Sequence, residues 1–119
     1  MKVIAFDLDD TLCLRDSEYG AVDKYLSCRP VKSMIGIVNK CYDDGYEVVI
    51  YTARGMTSFN GNKDDAIHNL YGLTREQLNA WGVKYHKLVM GKLHFDILVD
   101  DKVIDVREVK SANDIQRRI

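Results

Sequence analysis

The 119-residue chain is predicted to fold as one α/β domain, residues 1–119, with a parallel central sheet flanked by helices. Short apolar runs that suit strands alternate with stretches of helical periodicity, and several of these runs end in polar residues. Strands that alternate with helices pair in parallel through crossover connections. A chain of this length can enclose one hydrophobic core, and no internal repeat or linker divides it.

The first half of the chain is predicted to hold two strands and two helices. A strand covers residues 2–6, and a weak helical pattern covers residues 17–26. Pro30 suits a first helical position, so a firmer helix is expected from there to the turn at 43–45. Residues 46–51 are rich in strand formers and predict a central parallel strand.

The second half begins with a predicted loop over residues 52–62, which is rich in Gly and Asn. A helical region follows from Lys63 and is expected to break at Tyr71-Gly72. Thr74 and Gln77 have the spacing of a capping box, which predicts a separate short helix after the break.

Two more strands and a terminal helix complete the predicted order. Residues 83–90 contain a third strand, and residues 95–99 form a fourth. Ser111 is expected to cap a short helix that ends in Arg117-Arg118. All strands are expected to join one sheet.

Composition and charge exclude several classes of protein. The net charge is −1, so the chain has no general basic field that would attract nucleic acid. No apolar run approaches the roughly 20 residues of a membrane span, and no signal-peptide pattern stands at the start. Cys13, Cys28 and Cys41 lack CxxC spacing, which argues against a disulfide framework or a zinc knuckle. We therefore expect a reduced, cytoplasmic protein without a membrane partner.

The segment Asp7-Leu8-Asp9-Asp10-Thr11-Leu12 directly follows the first predicted strand. Open α/β sheets bind ligands at the carboxyl ends of their strands. On extended backbone Asp7 and Asp9 would point the same way, and carboxylates that close repel each other unless a cation or proton intervenes. This predicts a metal-assisted site, although acidic clusters also form turns and helix caps.

Further polar residues follow the later strand-like runs, in the order Thr52, a lysine and Asp100-Asp101. This order resembles the haloacid dehalogenase (HAD) superfamily of phosphohydrolases, which implies a Rossmann-like fold. The residues that carry the resemblance are Phe6-Asp7-Leu8-Asp9-Asp10-Thr11-Leu12, Val48-Val49-Ile50-Tyr51-Thr52, Lys92 and Ile97-Leu98-Val99-Asp100-Asp101. Within the superfamily, Tyr51-Thr52-Ala53-Arg54-Gly55-Met56 and Met90-Gly91-Lys92 are similar to small phosphatases of capsular polysaccharide biosynthesis.

The resemblance implies a role for each central residue. Asp7 would be the nucleophile that forms an aspartyl-phosphate. Asp9 would be the general acid toward the leaving alcohol and then the base for the hydrolytic water. Thr52 would bind a phosphoryl oxygen, and Lys92 would neutralise charge on the nucleophile and the phosphate.

The resemblance also implies a Mg²⁺ site and a substrate contact. Asp7, the backbone carbonyl of Asp9 and Asp101 would hold the ion, with Asp100 alongside, because Mg²⁺ prefers oxygen ligands. Arg54 follows the phosphate-binding threonine closely enough to contact the non-phosphoryl part of the substrate. The alternative interpretation of Arg54 is an ordinary surface arginine.

Two other residues compete for these roles. Lys87 is the alternative phosphate lysine, but Gly91 before Lys92 suits a tight loop, whereas Lys87 lies in strand-like sequence. Asp105 would be the second acid in a longer form of the last motif, and we interpret it as a surface acid.

The short segments between these motifs leave no room for the cap domain that many HAD enzymes carry. A capless site accepts large substrates or borrows walls from another subunit, so a homo-oligomer is a hypothesis. The expected partner is a small phosphorylated metabolite, most specifically a sugar phosphate of surface-polysaccharide synthesis.

Three other classes of protein use similar residues. A response-regulator receiver domain would have its acidic pair at the first strand and its lysine last, whereas Asp100-Asp101 come last here. A polynucleotide-end phosphatase would need a basic groove, and the basic cluster near the end of the chain is small. A catalytically idle binding protein has no use for the whole set. Transfer of the phosphoryl group to an acceptor other than water stays an open alternative.

Overall fold

The computed structural model describes residues 1–15 and 23–119, with the side chain of Asp23 excluded. Its elements follow in the order β1 (Val3–Phe6), β2 (Cys13–Leu14), α1 (Asp23–Leu26), β3 (Arg29–Pro30), α2 (Lys32–Asp43), β4 (Glu47–Thr52), α3 (Lys63–Ala80), β5 (Lys87–Met90), a 3₁₀ turn at Val106–Glu108, and α4 (Ala112–Gln116).

The central sheet has three parallel strands in the order β1-β4-β5. Ile4 lies opposite Val48 and Phe6 opposite Ile50, and all four side chains are buried on one face. Helix α2 packs against β4, α3 against β5, and α4 against α2. The predicted α/β class with a parallel sheet flanked by helices is therefore confirmed.

Helix α2 begins later than predicted, because Pro30 belongs to a short antiparallel ribbon of β2 and β3. Pro30 pairs with Cys13, and the backbone N–H of Val31 donates to the carbonyl of Leu12 at 2.8 Å. Val31 is the N-cap, so the helix starts at Lys32. A proline is tolerated at a sheet edge because its missing N–H is not required there.

Helix α3 is continuous, so the predicted break at Tyr71-Gly72 is wrong. The side chain of Asn62 caps the helix by accepting a hydrogen bond from the N–H of Asp65 at 3.0 Å. Leu70 and Thr74, which stand on either side of Gly72, are both buried on one face of the helix. A glycine inside a helix costs only about 1 kcal/mol, so this burial keeps the helix continuous. The expected capping box at Thr74 does not form because Thr74 lies inside the helix.

The predicted fourth strand at 95–99 is also absent, since residues 91–105 form neither helix nor strand. Ile97 is 81% exposed and Val99 is 92% exposed. Strand propensity reflects packing against neighbouring strands, and this segment has no such neighbour in the described part of the chain. Within that part, β1 remains an edge strand.

The other predicted elements agree with the structure. Strands are found within 2–6, 46–52 and 83–90, and α4 starts directly after Ser111. Of the helix predicted over 17–26, residues 17–22 lie outside the described residues, and Asp23–Leu26 is helical. Among the described helices, none is long and apolar enough to cross a membrane.

Candidate active site

The carboxyl ends of the three parallel strands bring Asp7, Thr52 and Lys92 to one edge of the sheet. Asp7 follows β1, Thr52 ends β4, and Lys92 comes two residues after β5. The backbone N–H of Lys92 donates to the carbonyl of Thr52 at 3.2 Å. Lys92 Nζ then lies 3.7 Å from Asp7 Oδ1. The sequence prediction that these residues meet agrees with this geometry.

Asp7 is a half-buried carboxylate with incomplete charge compensation. Burial raises the pKa of the Asp7 carboxyl, and this effect exceeds the lowering by Lys92 and by the backbone N–H of Leu8. Asp9 and Asp10 add to the raised pKa because their charges repel the Asp7 carboxylate. A proton on Asp7, or an additional cation beside it, would offset this cost.

The loop after β5 holds Lys92 in place. Gly91 has φ +90°, a backbone conformation that favours glycine, and a Cβ atom there would lie 2.6 Å from carbons of the Lys63 side chain. Lys92 Nζ lies 5.5 Å from the ring centroid of Tyr51 and 5.4 Å from that of Phe95. Lys87 instead pairs with Glu47 at 3.4 Å. Lys92 is thus the lysine beside Asp7.

The Asp9 carboxylate is bound by the guanidinium of Arg54. Arg54 Nη2 donates to Asp9 Oδ1 at 2.8 Å, and Arg54 Nε donates to Asp9 Oδ2 at 3.1 Å. Two parallel bonds of this kind fix both the position and the plane of a carboxylate. Arg54 is only 2% exposed, so its interpretation as a surface arginine is wrong. Its guanidinium contacts protein groups, and its predicted contact with the substrate stays a prediction.

Other elements hold Arg54 in this position. Arg54 Nη1 donates to Thr74 Oγ1 at 3.2 Å and to Gln77 Oε1 at 2.6 Å, both from α3. The guanidinium carbon lies 4.8 Å from the ring centroid of Tyr25 in α1. Gln77 Nε2 donates in turn to the carbonyl of Tyr25 at 2.6 Å. These contacts join two helices around one buried cation.

Two cysteines complete the surroundings of Asp9. Cys13 Sγ lies 3.4 Å and Cys28 Sγ 3.7 Å from Asp9 Oδ1, and the three side chains could in principle hold a metal. Arg54 Nη2, however, lies 3.8 Å from Cys13 Sγ and 3.7 Å from Cys28 Sγ. The guanidinium therefore already supplies the positive charge in this cluster. Burial raises the pKa of both thiols, which fits packed, protonated cysteines.

Thr52 is 1% exposed, and its Oγ1 accepts a hydrogen bond from the backbone N–H of Arg54 at 3.0 Å. This bond fixes the turn that leads from β4 to Arg54. The predicted contact between the Thr52 hydroxyl and a phosphoryl oxygen stays a prediction.

A groove of about 910 Å³ runs from this edge along β1, and Asp7, Lys92, Asp100 and Asp101 all line it. Asp100 Oδ1 accepts a hydrogen bond from the N–H of Lys102 at 2.8 Å, which lowers the pKa of Asp100 together with a bond to Asp101. Both carboxylates are exposed. Of the four residues predicted to hold Mg²⁺, Asp7, Asp100 and Asp101 thus share one groove, whereas Asp9 does not line it.

Asp105 is also exposed and pairs with Arg107 at 2.6 Å, and hydrogen bonds to Arg107 lower the pKa of Asp105 to about 2. This agrees with its interpretation as a surface acid.

The donor set in the groove fits Mg²⁺ better than the cysteine cluster does. Asp7, Asp100 and Asp101 offer carboxylate oxygens, and the raised pKa of Asp7 marks a carboxylate whose charge a cation would stabilise. Thiols favour softer metals, and the cysteine cluster is occupied by Arg54.

The sequence patterns do not predict the contacts that Arg54 makes. Tyr25, Thr74 and Gln77 come from two helices, and none stands near a motif. If α3 is taken as one continuous helix, Leu70, Thr74 and Gln77 lie on the same helix face. That pattern would have indicated that Thr74 and Gln77 point to a common partner.

Comparison with known proteins gives one structural likeness. No protein-family model matches the chain, and no curated protein matches it significantly. The crystal structure of a structural-genomics target from Vibrio cholerae aligns with a TM-score of 0.80 and 27% sequence identity, over 91% of this chain and 86% of that one. Its description names no activity.

Proposed function

We propose that the protein is a Mg²⁺-dependent phosphomonoesterase of the HAD type. The observation that carries the proposal is Asp7 beside Lys92, 3.7 Å apart, at the carboxyl ends of β1 and β5 in one parallel sheet. A nucleophilic carboxylate next to a fixed ammonium group suits attack on a phosphoryl group, whose negative charge needs compensation. The resemblance of the motifs supports the same assignment.

The reaction would proceed in two displacements. The Asp7 carboxylate attacks phosphorus and the ester P–O bond breaks. Asp9, which must carry a proton at this step, gives it to the leaving alkoxide and becomes the carboxylate that Arg54 binds. A water molecule then attacks phosphorus, gives a proton to Asp9, and releases Asp7 and inorganic phosphate. Lys92 compensates the charge on the phosphoryl oxygens in both steps. Mg²⁺, when held by Asp7, the Asp9 carbonyl and Asp101, would add positive charge at the same oxygens.

The substrate class rests only on the resemblance of Tyr51-Thr52-Ala53-Arg54-Gly55-Met56 and Met90-Gly91-Lys92 to that branch. We propose a sugar phosphate of surface-polysaccharide synthesis, handled in the cytoplasm by an enzyme without a cap domain. The three free cysteines are compatible with that compartment. Self-association stays part of the proposal.

The test is phosphate release from sugar phosphates, nucleotides and 3′-phosphorylated oligonucleotides, with Mg²⁺ and with EDTA. Metal-dependent release that is lost in Asp7→Asn is the expected result. A preference for oligonucleotides would replace the sugar-phosphate assignment. Absence of release from every ester, by folded protein in Mg²⁺, would contradict the phosphatase proposal.

A further inference from the structure

We infer that Arg54 is a positioning residue that orients the Asp9 carboxylate for proton transfer. The inference rests on the proposed function, in which Asp9 exchanges protons with the leaving alcohol and with water. It assigns Arg54 a role different from the substrate contact expected from the sequence.

The hydrogen-bonding capacity of Arg54 is taken up inside the protein. A guanidinium has five N–H donors in a fixed plane. Nε and Nη2 bind the two oxygens of Asp9, Nη1 binds Thr74 and Gln77, and Nη2 also faces the sulfurs of Cys13 and Cys28. The side chain of Arg54 has no exposed surface. A substrate phosphate or sugar therefore finds no free donor on this residue.

The anchoring of Arg54 makes the orientation of Asp9 rigid. Thr74 and Gln77 belong to α3, which is packed against β5, while Asp9 lies on the turn after β1. Arg54 therefore connects the turn after β1, at one edge of the sheet, to α3, which packs against β5 at the other edge. A displacement of about 1 Å at a reacting group can cost roughly 100-fold in rate, so this connection would matter for proton transfer.

If Arg54 only stabilised the fold, its substitution would lower the rates for all esters alike. If it positions Asp9, the loss should depend on how much the leaving group needs a proton. An alkyl phosphate needs a proton on its leaving oxygen, whereas p-nitrophenolate leaves readily without one. Loss of proton transfer therefore lowers kcat/KM for an alkyl phosphate much more than for p-nitrophenyl phosphate. General unfolding or loss of Asp7 would lower both values alike.

The experiment compares kcat/KM for the two esters in wild type, Asp9→Asn and Arg54→Lys. Arg54→Lys keeps the buried charge but loses the paired geometry. General acid catalysis contributes about 10²–10⁴-fold, so Asp9→Asn should lose at least about 10-fold more on the alkyl ester. Arg54→Lys should show the same selective loss in weaker form. Guanidinium ion added to Arg54→Ala should restore part of the alkyl-phosphate rate.

Gln77→Met serves as a second variant that leaves the ion pair itself in place, should Arg54→Lys fail to fold. It is expected to show a smaller but equally selective loss. Equal losses on both esters in the folded variants would overturn the role of Arg54 while leaving the phosphatase function standing. Wild-type protein that releases phosphate from neither ester would overturn both.

Discussion

Lys92 and Asp7 are adjacent in space, with Lys92 Nζ 3.7 Å from Asp7 Oδ1, although most of the chain separates them in sequence. Lys87, the first residue of β5, instead places its ammonium group 3.4 Å from the Glu47 carboxylate. The two lysines therefore form a matched pair for mutation, because one lies in the candidate site and the other lies outside it.

We expect Lys92→Met to lower kcat/KM for a phosphomonoester by about 10²–10³-fold, since loss of one charge-stabilising donor costs this much in comparable sites. Lys87→Met, which removes an exposed ion pair, should change it by less than about 3-fold. Steady-state phosphate release measures both. A larger loss in Lys87→Met than in Lys92→Met would reverse the assignment.

The predicted Mg²⁺ site distinguishes among three acidic residues. Asp101→Asn should raise the Mg²⁺ concentration for half-maximal activity by more than about 100-fold, and Asp100→Asn by about 10–100-fold, because residues outside the direct ligand set typically cost about 10–100-fold in metal affinity. Asp105→Asn is the control, since Asp105 pairs with Arg107. Equal Mg²⁺ dependence in all three variants would remove Asp101 from the site.

The raised pKa of Asp7 predicts a pH-dependent stability change. A carboxyl whose pKa is higher in the folded state binds its proton more tightly there, so its favourable contribution is present at low pH and is lost as pH rises through the folded pKa. In EDTA, Asp7→Asn should therefore raise the thermal midpoint at pH 7. The gain should shrink as the pH falls through the raised pKa of Asp7 towards the ordinary Asp value of 3.8, and below that value it should be lost. A constant difference at all pH values would contradict this cause.

Gly55 is predicted to be sensitive to substitution for two separate reasons. Its φ is +83°, and a Cβ atom would lie 2.6 Å from Leu70 Cδ1 and 3.1 Å from Ala66 Cβ. Gly45 has φ +95° with open space around it, so it isolates the backbone effect. Gly45→Ala should cost about 1 kcal/mol of unfolding free energy, and Gly55→Ala about 1–3 kcal/mol more. Urea denaturation gives both values, and equal costs would show that Leu70 yields easily.

The sheet and part of the site were predictable because they depend on local patterns. The apolar runs ending at Phe6, Thr52 and Met90 define strands, and parallel pairing brings their ends together. Asp7 follows from that rule, whereas the choice of Lys92 over Lys87 also needed the family resemblance and Gly91. The predicted fourth strand at 95–99 does not form. Its residues suit a strand, but strand formation also requires a neighbouring strand to pair with.

The contacts of Arg54 were not predictable in the same way. Its partners come from α1, α3 and the turn after β1, and only the folded chain brings them together. The pair Thr74 and Gln77 also has the spacing of a helix start, so the local pattern favoured the wrong interpretation. Leu70 and Leu78, which flank this pair, are both buried against the core, and this burial stabilises the continuous helix.

The continuity of α3 has a consequence for insertions and deletions. A residue inserted between Asn62 and Leu70 would rotate everything after it by about 100° and shift it by about 1.5 Å along the helix axis. Thr74 and Gln77 would then leave the guanidinium of Arg54, although no residue of the motifs had changed. We expect natural length variants of this protein to differ in the loops at 57–61 or 91–105, and to keep the number of residues from Asn62 to Gln77 constant.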